Sequence, residues 1–139
     1  MSTALLTDRY ELTMIDASLA SGRYARRSVF EVFARSLPGA RRFGVVAGTG
    51  RLLQLISDFR FGEPELEWLR ENKIVDTATL DWLADYRFRG NIWGYQEGEL
   101  YFPGSPIFVV EGTFAEGVIL ETLVLSVLNY DSAVASAAA

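Results

Sequence analysis

Tyr10 is the residue in this chain best suited to grip a flat ligand, because Thr7-Asp8-Arg9-Tyr10-Glu11-Leu12-Thr13-Met14 places an aromatic ring inside a polar, helix-opening cluster. Asp8 or Thr7 can serve as N-cap. With Asp8 in that role, Glu11 falls at the third helical position and can reach back to the cap amide, as in a capping box. At about 100° per residue, Leu12, Ile15 and Leu19 form one apolar stripe, while Tyr10, Met14 and Ala17 lie roughly opposite. One face can pack on its own domain; the Tyr10 face is left for another element, another subunit or a flat ligand. Periodicity alone favours the simpler reading, an ordinary core tyrosine.

The other candidate chemistry is weaker. Ala47-Gly48-Thr49-Gly50 could cradle an anion at a helix N-terminus, where amides and the helix dipole favour negative charge. No Gly-Lys-Ser/Thr and no complete GxGxxG follows, so a plain strand-to-helix turn is the expectation. Glu97, Glu99, Glu111, Glu116 and Glu121 are dense enough to suggest acid-base or Mg²⁺ chemistry, but their spacing matches no ligand pattern, and most are expected to be either solvated or hydrogen-bonded within the fold. Glu121 sits in an apolar helix and needs a partner. Asn129-Tyr130-Asp131-Ser132 interrupts that helix with four polar groups, either the margin of a site (Asn129, Tyr130, Ser132) or local bonding that only bends the helix.

Composition narrows the field. The 139 residues contain neither histidine nor cysteine, which removes imidazole catalysis, thiolate chemistry, disulfides and the usual zinc ligands. Half of the residues are hydrophobic, enough for a buried core. The net charge of -5 argues against nucleic acid as the main partner. Arg23, Arg26, Arg27, Arg35, Arg41 and Arg42 still give the first third a local basic character, in a form suited to carboxylate or phosphate. Met1 to Leu6 lacks the basic and apolar regions of a secretory signal, so a cytoplasmic protein is expected. The apolar run Val118 to Leu128 is shorter than the roughly 20 residues of a membrane span and is expected to be a buried helix, with no membrane partner.

The elements that would position these residues follow from periodicity and turn signals. A first helix ends near Gly22. A strand runs over residues 28–35, with Val29, Glu31, Phe33 and Arg35 on one face. A short strand, Phe43 to Val46, leads through the glycine turn into a helix carrying Leu52, Leu53, Leu55, Ile56 and Phe59. Two more helical pieces, 64–72 and 76–86, each carry a Trp-Leu pair expected to pack (Trp68-Leu69 and Trp82-Leu83). Strands at 91–95, 100–102 and 107–111 suggest a small β meander. The last segment, 114–139, is apolar nearly all round and is expected to be a helix buried on every side. The fold class is therefore α/β, in the α+β sense of mixed short strands and helices. The expected division is 1–113 as the main domain and 114–139 as a helix leading onward. That helix reaches Ala139 without a terminator, so a truncated chain is expected.

Thr7 to Met14 together with Phe30-Glu31-Val32-Phe33-Ala34-Arg35 resembles the TDxYxxTM and FE(L/V)FxR opening of nicotinate phosphoribosyltransferases. Later blocks match in order: Phe43 to Gly48, Asp85 to Gly90, Glu97-Gly98-Glu99 with Phe102-Pro103, Val110-Glu111-Gly112, and Leu120 to Leu123. The resemblance implies a transferase of NAD salvage that joins nicotinate to 5-phosphoribosyl diphosphate, giving nicotinate mononucleotide and diphosphate with coupled ATP hydrolysis. It also implies an irregular type II phosphoribosyltransferase α/β barrel beyond this chain, Mg²⁺ and ATP bound mainly by that barrel, and a homodimer with a shared active site. By motif position, Tyr10 corresponds to the ring that stacks on the pyridine from the neighbouring subunit, Asp8 stands beside it, and Arg35 corresponds to a guanidinium near the phosphates. The family's phosphorylated histidine, diphosphate-binding segment and metal carboxylates have no counterpart here, so no catalytic residue and no metal ligand is expected in this chain, which alone should be inactive. The alternatives are a non-catalytic dimerisation or pyridine-binding module, and nicotinamide or quinolinate as the substrate.

Overall fold

The computed structural model describes residues 3–139; Met1 and Ser2, on which part of the signal-sequence reading falls, lie outside the described residues. Helix α1 (Arg9–Ala20) opens the domain. Its Leu12 and Ile15 are buried, while Tyr10 and Met14 are exposed, so the helix has the two apolar faces its periodicity predicts. Strand β1 (Arg27–Val32) follows and ends before the expected residue 35; Val29 and Glu31 are on its solvent side, and Phe33 and Arg35 are exposed just beyond its end. Next come β2 (Gly44–Val45) and helices α2 (Thr49–Asp58), α3 (Glu63–Glu71) and α4 (Thr77–Ala84). The chain continues through β3 (Asn91–Gly94), β4 (Leu100–Tyr101), β5 (Phe108–Thr113), α5 (Phe114–Val118) and α6 (Glu121–Ala138).

The strands do not form a meander. β5 lies between β1 and β3 in an antiparallel sheet, with Phe30 opposite Val110 and Ile92 opposite Val110 from the other side. β4 leaves its sequence neighbours and pairs with β2 instead, Gly44 opposite Tyr101. Two-residue strands carry too little alternation to specify a partner, and the choice is made by contact. At Gly44 a Cβ would stand 2.3 Å from the Tyr101 ring, so only a glycine admits that ring against the backbone.

The core draws on both sides of residue 113: Ile15, Leu52, Phe59, Leu69 and Leu83 meet Phe108, Val118, Ile119, Leu120 and Leu128. Phe59, Phe61, Tyr86 and Trp82 form a chain of edge and tilted ring contacts, 5.4 to 5.7 Å between centroids. Trp68, expected to pack, is about half exposed, because in the nine-residue α3 only Leu66 and Leu69 face inward. α5 seats on the sheet through Gly117, where a Cβ would be 2.4 Å from the Phe30 ring.

The terminal segment differs from its expectation in two ways. It is two helices, broken at Ile119 and Leu120, and α6 is buried on one side only: Leu123, Val124, Val127, Leu128, Ser132 and Ser136 face the domain, while Leu125, Tyr130 and Val134 are exposed. Composition marks a residue as apolar without saying which neighbour covers it. Taken through the break, Phe114–Ala138 is long and apolar enough to cross a membrane by length and composition; an 18-residue stretch within it has a mean hydropathy of 1.4 and is 44% buried inside the domain. Its inner face carries part of the core.

Along that inner face two serines act as surrogate strand partners. Ser132 Oγ accepts the Ala47 amide at 3.1 Å and Ser136 Oγ accepts the Val45 amide at 2.8 Å. Replacing either serine by alanine leaves a β2-side amide without its partner, at a cost of about 1 to 3 kcal/mol. Amide hydrogen exchange at Val45 and Ala47 should accelerate in the matching variant, and unchanged exchange would refute the assignment.

Candidate functional site

The expected capping box at the start of α1 is not formed. Asp8 has the extended backbone of an N-cap (φ -81°, ψ 147°), but its side chain makes no cap bond and is exposed. Glu11 turns inward and is fully buried. Its carboxylate accepts hydrogen bonds from the Thr7 hydroxyl, the Thr122 hydroxyl and, at 3.1 Å, the Thr122 amide. Helix α6 explains this choice: its N-cap position is Leu120, which has no acceptor, so a first-turn amide is left for a carboxylate from elsewhere. The helix dipole at that end favours the same negative charge.

Beside this contact stands Tyr10, 45% exposed, so it is not a core tyrosine. Desolvation first, then the interaction of its hydroxyl with Glu121 and the charges of Glu121, Glu11 and Asp8, hold its ionisation well above the ordinary value of 10.0. The phenol therefore stays protonated and serves as a donor. Glu121 is the partnered acid expected from its apolar context, although it is exposed at the helix start rather than enclosed.

Between β1 and α6 lies an open cleft of about 670 Å³. Phe30, Val32, Val110, Leu120 and Val124 supply its apolar lining, and Arg35, Glu31, Glu121 and Asn129 its polar groups. Glu121 thus joins the Tyr10 hydroxyl to the cleft wall. Arg35 makes no salt bridge with a described residue. Of the expected margin in α6, Asn129 lines this cleft and a neighbouring one of about 310 Å³. Ser132 lines only the second, and its hydroxyl is engaged with Ala47. Tyr130 is 68% exposed and lines neither. The helix runs through all four polar residues without interruption.

The remaining carboxylates are engaged within the fold. Glu97 accepts the Gly48 and Gly50 amides at 2.9 and 3.0 Å, filling the place where the glycine turn could have held an external anion. Gly48 itself sits at φ +93°, a conformation that favours glycine. Glu99 accepts the Gln96 amide at 2.7 Å, Glu111 pairs with Arg27, and Glu116 bonds Thr113 in a capping box. Asp131, which sequence reasoning assigned no separate role, makes a two-pronged contact with Arg51 at 2.7 and 3.2 Å. Among the described residues no group of three or more acids is placed to hold a metal ion.

Sequence reasoning missed Glu11 and Thr122. The available signal was a helix beginning at Leu120 with no capping side chain of its own, which requires an acceptor from another element.

Fold and cleft define a class first: an α+β domain with a guanidinium and an amide on an apolar cleft and an exposed tyrosine ring outside its lining, without an imidazole or thiolate to react. The family model of the nicotinate phosphoribosyltransferase (NAPRTase) N-terminal domain matches residues 5–129, and the chain belongs to that family. It is 59% identical over 135 residues to nicotinate phosphoribosyltransferase pncB1 of Mycobacterium tuberculosis, a match covering 97% of this chain and 30% of that protein. The Bacillus subtilis nicotinate phosphoribosyltransferase is 30% identical over 138 residues, 99% of this chain and 28% of the relative. The crystal structure of human nicotinic acid phosphoribosyltransferase superposes with a TM-score of 0.86 at 29% identity, over 95% of this chain and 27% of the human one. A nicotinate-nucleotide pyrophosphorylase from Pyrococcus furiosus, at 21% identity and a TM-score of 0.63, shares the fold. The chain spans about 30% of the length of the curated relatives it matches.

Burial raises the Glu11 carboxyl above its ordinary 4.5, against the hydrogen bonds from Thr122 and Thr7, which lower it. A raised folded value means that the folded state binds this proton more tightly than the unfolded chain. The resulting stability is fully present below 4.5 and is lost as pH rises through the folded value. Urea unfolding of the parent and of Glu11→Gln across this range should show their difference moving against the parent as pH rises. A difference that stays flat would contradict the assignment.

Proposed function

We propose that this chain is the N-terminal, substrate-contacting domain of a nicotinate phosphoribosyltransferase, a transferase of NAD salvage. The observation that carries the proposal is Tyr10: a ring on the outer face of α1, unclaimed by its own core, whose hydroxyl interacts with Glu121 in the wall of an apolar cleft. A tyrosine whose ring is free and whose hydroxyl is held can present a flat surface with little loss of rotamer entropy on binding. Nicotinate, a planar ring with a carboxylate, suits such a surface, and Arg35 supplies a guanidinium for the phosphates of 5-phosphoribosyl diphosphate. Asp8, exposed at the helix start, stands by the ring and helps orient its surroundings.

In the proposed reaction the pyridine nitrogen forms a bond to the anomeric carbon of the ribose while the bond from that carbon to diphosphate oxygen breaks, its electron pair leaving with diphosphate. The developing charge resembles an oxocarbenium ion, so positioning and electrostatics do the work and no protein nucleophile is required. This chain's part is to hold the ring and to stand near the phosphates. Mg²⁺ and the coupled ATP belong to a barrel outside this chain. The domain serves in a homodimer in which Tyr10 completes the neighbouring subunit's site, in the cytoplasm, and without nucleic acid or membrane as partner.

In the full-length enzyme, Tyr10→Ala should raise the KM for nicotinate about fivefold or more, as loss of a stacking contact of roughly 1 kcal/mol requires. A heterodimer of this variant with a subunit disabled in its barrel should recover about half of normal activity; no recovery would rule out action across the dimer. Arg35→Ala should raise the KM for 5-phosphoribosyl diphosphate, and an unchanged value would make Arg35 structural. The isolated 139-residue chain should form no nicotinate mononucleotide; product formation would overturn the division of labour.

A further inference from the structure

Glu11 is the only carboxylate among the fully buried described side chains. Its bonds run to the Thr7 hydroxyl and to both donors of Thr122. Tyr10, the residue before it, interacts electrostatically with Glu121, the residue before Thr122. Two consecutive residues of α1 therefore interlock with two consecutive residues at the start of α6. That same first turn of α6, with Leu120 and Glu121 and then Val124, forms a wall of the β1–α6 cleft.

We propose that Glu11 is a positioning residue: through Thr122 it fixes the rotation and height of α1 on α6, and so sets where the exposed Tyr10 ring stands relative to the first turn of α6. This rests on the reading of Tyr10 as the pyridine-facing ring. The apolar contacts of Leu12 and Ile15 hold α1 in place but are non-directional, and they tolerate small rotations of the helix. On a helix about 5 Å in radius, a rotation of about 20° moves a surface group by about 2 Å. Misplacement of about 1 Å is enough to impair a reacting geometry. The Glu11 hydrogen bonds are directional and they end on the element that lines the cleft, so they are the contacts that resist such rotation. Asp16 adds a second tether further along α1, accepting the Asp76 amide of α4 at 3.1 Å, but it reaches an element that does not line the cleft. Its bond can keep the helix docked without setting the ring at the other end.

The test is steady-state kinetics of the full-length enzyme with nicotinate and 5-phosphoribosyl diphosphate varied separately. Glu11→Ala should raise the nicotinate KM about fivefold, as Tyr10→Ala does, and leave the phosphoribosyl diphosphate KM within about twofold. Glu11→Gln, which keeps an acceptor for Thr122, should restore most of the nicotinate KM. Adding Glu11→Ala to Tyr10→Ala should raise it no further, because a ring that is gone needs no positioning. A rise of both KM values together, or failure of glutamine to rescue, makes Glu11 merely structural and overturns the proposal. Should Glu11→Ala not fold, Thr122→Val is measured instead: a rise confined to the nicotinate KM supports the role and an unchanged value overturns it. If Tyr10→Ala has no effect on nicotinate, the reading of the ring falls and this inference with it; if Tyr10→Ala acts and Glu11→Ala does not, this inference alone falls.

Discussion

A buried carboxylate must have donors, and a helix N-terminus without a capping residue must have an acceptor; in this domain the two needs answer each other at Glu11 and Thr122. Leaving either side unpaired would be costly, because water cannot reach the fully buried Glu11 side chain. The pairing joins residues 111 positions apart, the start of the first helix to the start of the last. What lies between them is arranged around that join. α1 is also tied to α4 through Asp16, and α6 to β2 through Ser132 and Ser136. The cleft opens between α6 and β1, which β5 links to the rest of the sheet.

Polar groups carry much of the register in this fold. Burial of Leu, Val and Phe drives the layers together, but it does not specify how one slides over another. The serines on β2, Glu97 on the glycine turn and Asp131 on Arg51 each fix one such placement. These are residues that a search for chemistry would count as candidates. Once their partners are known, they are no longer free to act on a ligand. Among the described residues of the cleft, the Arg35 guanidinium, the Asn129 amide and the Glu31 carboxylate are not engaged in this way, and the Tyr10 ring is exposed. A site supplying contact rather than reactivity is consistent with a chain that has no histidine and no cysteine.

Most of the elements were legible because their signals are local. The 3.6-residue spacing of Leu12, Ile15 and Leu19 marks α1, and the alternation of Val29, Glu31 and Phe33 marks the outer face of β1. Asp76 opens α4 as a capping residue should, accepting the Thr79 amide at 2.8 Å. The motif positions of Tyr10 and Arg35 were legible too, as a resemblance. What failed was long-range. β4 pairs with β2 across more than fifty residues, which two apolar residues cannot announce. Glu11 was assigned to its own helix because the nearer partner is the one visible in sequence.

The sequence by itself determined where most of the helices and strands lie, which of their residues are apolar, the family to which the motifs point, and the absence of imidazole and thiol chemistry. Tertiary structure alone decided which apolar faces are covered, leaving one side of α6 and the ring of Tyr10 exposed, and which polar groups are already engaged. The physical reason is that secondary-structure preference is encoded in neighbours a few residues apart. The fate of a carboxylate or a ring depends on what packing brings to it, and here Thr122 reaches Glu11 only after the chain has folded.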